Sequence, residues 1–244
     1  MSSILIIHNL YKHQGGEERM VRLMVDLLKK KGHSVSTYFE DSGLFDSLPF
    51  STRFLKAIQM PFSVEHYIRL KNLIKKVRPD IIHIHNIFPL LTPSVYFAAA
   101  QEKVPVIQTL HNYRSFCSNG LFLLPNGETC EKCFKGNTLN SFIHRCYGAS
   151  RWKSLGMATT LKLHQWLKTF QTKIDAFIAP SQFLRQKYIE GGIPAAKIHH
   201  IPFGIKIPSV RMIPPEEKTV LFVGRLSREK GLKTLLTAAK NLPD

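Results

Sequence analysis

The sequence predicts an α/β fold on a parallel sheet, followed by the opening of a second unit of the same kind. Three observations predict it. Short apolar runs recur at Ile4–Ile7, Ile81–His85, Val104–Leu110 and Asp175–Ala179. Stretches of helical periodicity separate them, which is the strand–helix alternation of parallel sheets. A late run, Val220–Val223, follows a stretch holding Pro208, Pro214 and Pro215, and leads into Gly224 and a basic loop.

Taken in order, Ile4–His8 reads as a first buried strand, and a loop leads from it to Gly15-Gly16. Glu17–Lys31 carries Met20, Leu23, Met24, Leu27 and Leu28 at helical spacing; Gly32 ends that helix, and Ser34–Phe39 is a second strand. Strand, glycine loop, helix and strand make a Rossmann-like opening. The loop lacks a full G-x-G-x-x-G, so a dinucleotide site is poorly supported, and in isolation it also reads as an ordinary turn before a helix. Residues 42–61 read as irregular with short helical pieces. Ser63–Val77 is a basic helix, read either as a solvated face or as a face resting on anionic lipid.

Ile81–His85 is the third strand, with Asn86 at its carboxyl end, and a helix over Thr92–Gln101 follows. Val104–Leu110 is the fourth strand and delivers His111-Asn112-Tyr113 to the same edge. Ligands of open parallel sheets bind beyond the carboxyl ends of the strands, so His85, Asn86, His111 and Asn112 are candidates there. A histidine on a buried strand also reads as a satisfied core residue. Arg151–Lys173 reads as one long basic helix that packs on the sheet or lies along lipid. Asp175–Ala179 is the fifth strand. Ser181 then caps a helix that ends at Gly191-Gly192, and Ile198–Ile201 is the last strand.

All four cysteines fall in one glycine- and asparagine-rich insert: Cys117, Cys130, Cys133 and Cys146, spaced C-x12-C-x2-C-x12-C. Thiolates around a central C-x-x-C suit a structural zinc ion, which would order a segment with few core residues of its own. Unpaired reduced thiols and a redox pair at Cys130/Cys133 are the other readings.

The chain has 244 residues, 44% of them hydrophobic, and a formal net charge of +17. That charge points to an anionic partner such as phosphates or a membrane face, and its other reading is a non-catalytic Rossmann-like module that binds anionic lipid or nucleic acid; without an aromatic-interleaved recognition motif, lipid is favoured over nucleic acid. No apolar run reaches the roughly 18 residues that span a bilayer. The expectation is a cytoplasmic protein, peripheral on the inner face of the membrane.

In Gly224-Arg-Leu-Ser-Arg-Glu-Lys-Gly231, a strand end, a loop with Arg225 and Lys230, and a helix start form a site suited to a phosphorylated ligand. A solvated basic loop fits the spacing equally. The stretch resembles the G-R-L-x-x-E-K-G signature of the retaining family-four glycosyltransferases of the GT-B fold, at Gly224, Arg225, Leu226, Glu229, Lys230 and Gly231. P-D-I-I-H-x-H-N at Pro79–Asn86 and T-x-H ending at His111 are similar to the same family.

The resemblance implies a first Rossmann-like domain at 1–205 with the insert at 117–146, a linker at 206–218, and an incomplete nucleotide-sugar domain at 219–244. It implies a UDP- or GDP-sugar donor whose diphosphate is held by Arg225, Lys230, Gly15 and Gly16, and no catalytic metal. It places His111 at the reacting centre and His85, Asn86, Asn112 and Ser181 along the acceptor cleft. The acceptor would be a glycan or a lipid-linked sugar, and the chain alone would turn over little. Family members usually read Pro-Asn-Gly-Val-Asp where this chain reads Pro202-Phe-Gly-Ile-Lys206, so the Asn and Asp of that pattern are replaced by Phe203 and Lys206.

Overall fold

The structure is a computed structural model that describes residues 1–11, 15–43, 49–134, 136–205 and 219–241. The expected linker at 206–218 lies outside the described residues. Six parallel strands form the sheet: β1 (Ser3–Leu10), β2 (Ser34–Asp41), β3 (Ile81–Ile84), β4 (Val106–Thr109), β5 (Ala176–Ala179) and β6 (Ile198–His200). Their spatial order is β2-β1-β3-β4-β5-β6. The four inner strands, β1, β3, β4 and β5, match the apolar runs of the sequence, because a strand covered on both faces is largely apolar at successive positions, whereas the edge strands β2 and β6 are more polar.

Helix α1 (Gly16–Lys30) lies on one face, where Val21 and Val25 close over Ile4 and Ile6. The opposite face carries the larger core. It is covered by α3 (Val64–Val77), which follows the short α2 (Phe50–Ile58), and by α4 (Ser94–Gln101). After α5 (Asn140–Ile143), the same cover continues with α6 (Arg151–Trp166), α7 (Thr169–Thr172) and α8 (Gln182–Glu190). Leu5, Ile7, Ile82, Ile84 and Phe177 from the strands meet Leu70, Tyr96, Leu161 and Tyr188 from these helices. The helix starts follow the capping residues: Ser63 Oγ accepts from His66 N, and Ser181 Oγ accepts from Leu184 N at 3.2 Å.

Two elements differ from expectation. The helix expected over 151–173 is two helices, because Lys168 takes a left-handed conformation with φ 50° between α6 and α7. Its inner face packs through Met157, Ala158 and Leu161, while Trp152 and Trp166 stand 79% and 76% exposed. Val220–Val223, expected as a strand, forms none, and Val220, Leu221 and Val223 are 64–84% exposed. Strand propensity is realised only against a neighbouring ladder, and none of the six strands pairs with this run. Helix α9 (Leu232–Ala239) forms after Gly231, and none of its residues is buried.

Chain connectivity fixes where a ligand can sit. From β1 the chain moves to β2 on one side, then returns past β1 to β3 and continues outward through β6. The strand order therefore reverses between β1 and β3, and the crevice beyond their carboxyl ends is the topological switch point. No helix among the described residues is long and apolar enough to cross a membrane.

Candidate functional site

Residues in register on parallel strands share a face, and this aligns four histidines at the carboxyl edge of the sheet. Ile6 pairs with His83, and His83 with Ile107, so His8, His83, His85 and Thr109 project on the side covered by α1. The His83 and His85 rings stack at 4.6 Å, and the His85 and His111 rings lie 5.2 Å apart. Phe203 stacks on the far side of His111 at 5.3 Å. His85 Nδ1 and His111 Nε2 share a 2.9 Å hydrogen bond, and His83 Nε2 is 2.7 Å from Thr109 Oγ1.

Burial strips these rings of charge. Desolvation lowers His8 and His83 to about 4, and His111 to about 3, with neighbouring histidines adding to the shift at His111. His85 falls well below its ordinary value for the same reason, reinforced by its three histidine neighbours. At neutral pH the row is uncharged. Each ring can hold one proton and one lone pair in place, which suits orienting a hydroxyl more than delivering a proton.

His85, Asn86, His111 and Asn112 line a single cavity beyond the strand ends. The structure thus brings together four of the expected cleft residues. Two of them are already occupied in holding the chain. The Asn86 amide donates to Asn9 O at 3.0 Å and Phe88 O at 2.8 Å and accepts from Phe88 N, which ties the loop after β3 to β1. Asn112 Oδ1 accepts from Arg114 N at 3.0 Å and packs under Gly120, whose φ of +75° favours glycine and where an added Cβ would sit 3.2 Å from that oxygen.

The other expected residues stand apart from this cavity. Ser181 is an exposed cap of α8 and does not line it. The Gly15 N–H is held by Glu18 Oε2 at 2.7 Å, while Glu18 Oε1 accepts from Tyr11 N at 3.0 Å, so this carboxylate closes the loop on itself. A Cβ at Gly16 would meet nothing within 4 Å. The Arg225 side chain is 70% exposed and pairs with Glu229 at 3.0 Å. Lys230 is exposed at the end of a 3-10 turn, Arg228–Lys230. From that turn Arg228 Nη1 reaches Pro125 O of the cysteine insert at 3.2 Å.

Two charged lining residues went unread in the sequence, Glu17 and Arg114. Burial, reinforced by the Glu18 charge, raises the Glu17 carboxyl to about 8. Arg114 lies between the rings of Phe88 and Tyr147 at 5.8 and 5.6 Å. The only prior sign of either was position: Glu17 in the first turn after the glycine loop, Arg114 three residues beyond His111.

The insert is ordered by an aromatic cluster, in which Phe116 meets Phe134 at 5.2 Å and Tyr188 of α8 at 4.9 Å. Cys117 and Cys133 are buried, and Cys130 and Cys146 are partly so. Burial, then the neighbouring cysteines, push the Cys133 and Cys146 thiols up to about 12 and 11. Among the described residues no group of three or more His, Cys, Asp or Glu is arranged to hold a metal ion, so the expected ligand set Cys117, Cys130, Cys133 and Cys146 is not assembled as one.

Comparison with known proteins places this architecture. The chain is 25% identical over 182 residues to a 2-deoxystreptamine N-acetyl-D-glucosaminyltransferase of Niallia circulans, covering 70% of this chain and 39% of that protein. It is 24% identical over 261 residues to an uncharacterized 42.6 kDa protein in the cps region of Klebsiella pneumoniae, covering 94% and 62%. The chain therefore spans less than two thirds of the length of these relatives. Among solved structures, the lipopolysaccharide outer core galactosyltransferase WaaB in its apo form matches with a TM-score of 0.48 and 14% identity, over 89% of this chain and 50% of that one. Anabaena Alr3699/HepE in complex with UDP and glucose matches with a TM-score of 0.41 and 13% identity, over 84% and 45%. The model of Glycosyltransferase Family 4 matches residues 14–207, well over half of the sequence. On that match, the chain belongs to Glycosyltransferase Family 4.

Proposed function

We propose that the chain is the acceptor-side part of a retaining glycosyltransferase. It would move a hexosyl group from a UDP- or GDP-sugar to a hydroxyl acceptor in cell-surface polysaccharide or glycolipid synthesis. The bond from the anomeric carbon to the diphosphate breaks, and a bond to the acceptor oxygen forms on the same face. The acceptor proton leaves with the diphosphate. The observation that carries the reading is the neutral His85–His111 pair at the carboxyl ends of β3 and β4, where ligands of open parallel sheets bind. His111 would orient the sugar by one hydrogen bond. Arg225 and Lys230 would hold the leaving diphosphate, with the backbone at Gly15 and Gly16 facing it. Calorimetric titration with UDP and GDP tests this: binding lost in an Arg225→Ala variant supports the roles, and no binding of either nucleotide contradicts them.

The reading includes a peripheral, cytoplasmic place at an anionic membrane face. Exposed Trp152 and Trp166 on a strongly basic chain support it. It also includes a structural zinc ion on the four cysteines. The C-x2-C-centred spacing supports this, as do thiols close enough to raise one another's pKa.

A further inference from the structure

Buried polar atoms without partners are uncommon, and here they converge. Arg114 Nε, Glu17 Oε1 and His85 Nε2 are all buried with no hydrogen-bond partner, and all three residues line the cavity beyond β3 and β4. A fourth such atom, His8 Nε2, belongs to a ring whose Nδ1 is 3.9 Å from Glu17 Oε1. A buried donor or acceptor left without a partner is destabilising, so a cluster of them marks a place where another molecule supplies the bonds.

The charge of the cluster selects that molecule. Among the described residues no carboxylate lies within 4.0 Å of the Arg114 guanidinium. Glu17 shares this lining and its charge couples to Arg114, but burial raises its carboxyl to about 8, so at neutral pH the guanidinium is left without an anionic partner. Its volume is about 40 Å³. That admits roughly three water-sized groups, enough for a carboxylate and too little for a sugar ring.

We propose that this cavity is a subsite for the carboxylate of an acidic accepting sugar, held by Arg114 with Glu17 and His85 completing its hydrogen bonds. The ring of that sugar lies outside, in the crevice at the switch point. The proposal rests on the glycosyltransferase reading and names its acceptor class as a uronic-acid type of sugar. The groups facing Glu17 are His8 from β1, Tyr11, Glu18 from its own helix, and Arg114. With its pKa raised to about 8, Glu17 carries a proton at neutral pH, and its hydroxyl donates to the ligand instead of repelling it.

The test is calorimetric titration of the 244-residue chain with methyl β-glucuronide and methyl β-glucoside, with acetate and inorganic phosphate as competitors. Charge-assisted bonding predicts that the glucuronide binds about 10- to 100-fold tighter at pH 7. Arg114→Gln removes the preference. A Glu17→Gln variant, which keeps the shape of the site, retains it and also binds at pH 9, where the wild-type chain loses affinity. Acetate competes and phosphate does not. Equal affinity for the two glycosides, or a preference that survives in folded Arg114→Gln, overturns the proposal; so does displacement by phosphate in place of acetate. Nucleotide binding is measured separately: if UDP or GDP binds through Arg225 without any glucuronide preference, the subsite fails and the transferase stands. Glucuronide preference with no nucleotide binding gives the reverse.

Discussion

His85 Nδ1 and His111 Nε2 are 2.9 Å apart, so one hydrogen bond joins the residue that follows β3 to a residue two positions past the end of β4. The bond fixes the orientation of the His111 ring, and Phe203 closes its other side at 5.3 Å. A ring so held needs no reorganisation when a substrate hydroxyl or oxyanion arrives. His111→Ala is expected to lower kcat for glycosyl transfer by about 10²- to 10³-fold, with little change in KM for the donor. Steady-state nucleotide release checks it, and an unchanged kcat would remove His111 from the reacting centre.

The neutral histidine row predicts acid sensitivity. His8 and His83 titrate near 4 and His111 near 3 when folded, against about 6.5 when unfolded. Between those values the unfolded chain binds more protons, so stability is present above pH 6.5 and is lost as pH falls toward 4. Thermal melts should show Tm falling from pH 7 to pH 5. A His83→Gln variant should lose less over the same interval.

Glu17 has the opposite sign. Its folded pKa of about 8 lies above its unfolded value, so the folded chain holds the extra proton. Its contribution is complete below about pH 4.5 and is lost as pH rises through 8. The difference in Tm between wild type and Glu17→Gln should therefore move against the wild type from pH 5 to pH 9. A constant difference would show that Glu17 is ionised at neutral pH.

The cysteine insert depends on one close approach. A Cβ at Gly191 would run into Cζ of Phe116, at the centre of the aromatic cluster that fastens the insert to α8. Gly191→Ala is expected to cost about 1–3 kcal/mol and to lower Tm by several degrees. The loss should appear as faster amide exchange over 117–146. Wild-type exchange in that segment would contradict the packing.

If the four cysteines hold zinc as proposed, native mass spectrometry will find one zinc ion per chain, and a Cys133→Ser variant will lose it. Chelation should then raise amide exchange across 117–146. A metal-free chain with unchanged protection would leave the aromatic cluster as the sole clip.

The inner strands were legible because a doubly covered strand is apolar at nearly every position, as at Ile4–Ile7 and, His83 apart, Ile81–Ile84. The helix starts were legible through Ser63 and Ser181, whose side chains cap as expected. That His85 and His111 share an edge also followed from their places at strand ends. Their hydrogen bond did not, since it depends on the register of β3 against β4. Glu17 and Arg114 lie 97 positions apart in loop and helix-start segments, and only the tertiary fold makes them neighbours. Val220–Val223 misled because its composition satisfies strand propensity while the pairing it needs is not among the six strands.

The most direct test of the transferase account is nucleotide release with a panel of UDP- and GDP-sugars, run on the protein carrying its donor-side part, as wild type, Arg225→Ala and His111→Ala. The account predicts release with one donor, accelerated by an acidic sugar acceptor and lost in both variants. Release that is unaffected by either substitution, or no release and no nucleotide binding with any donor, would contradict it.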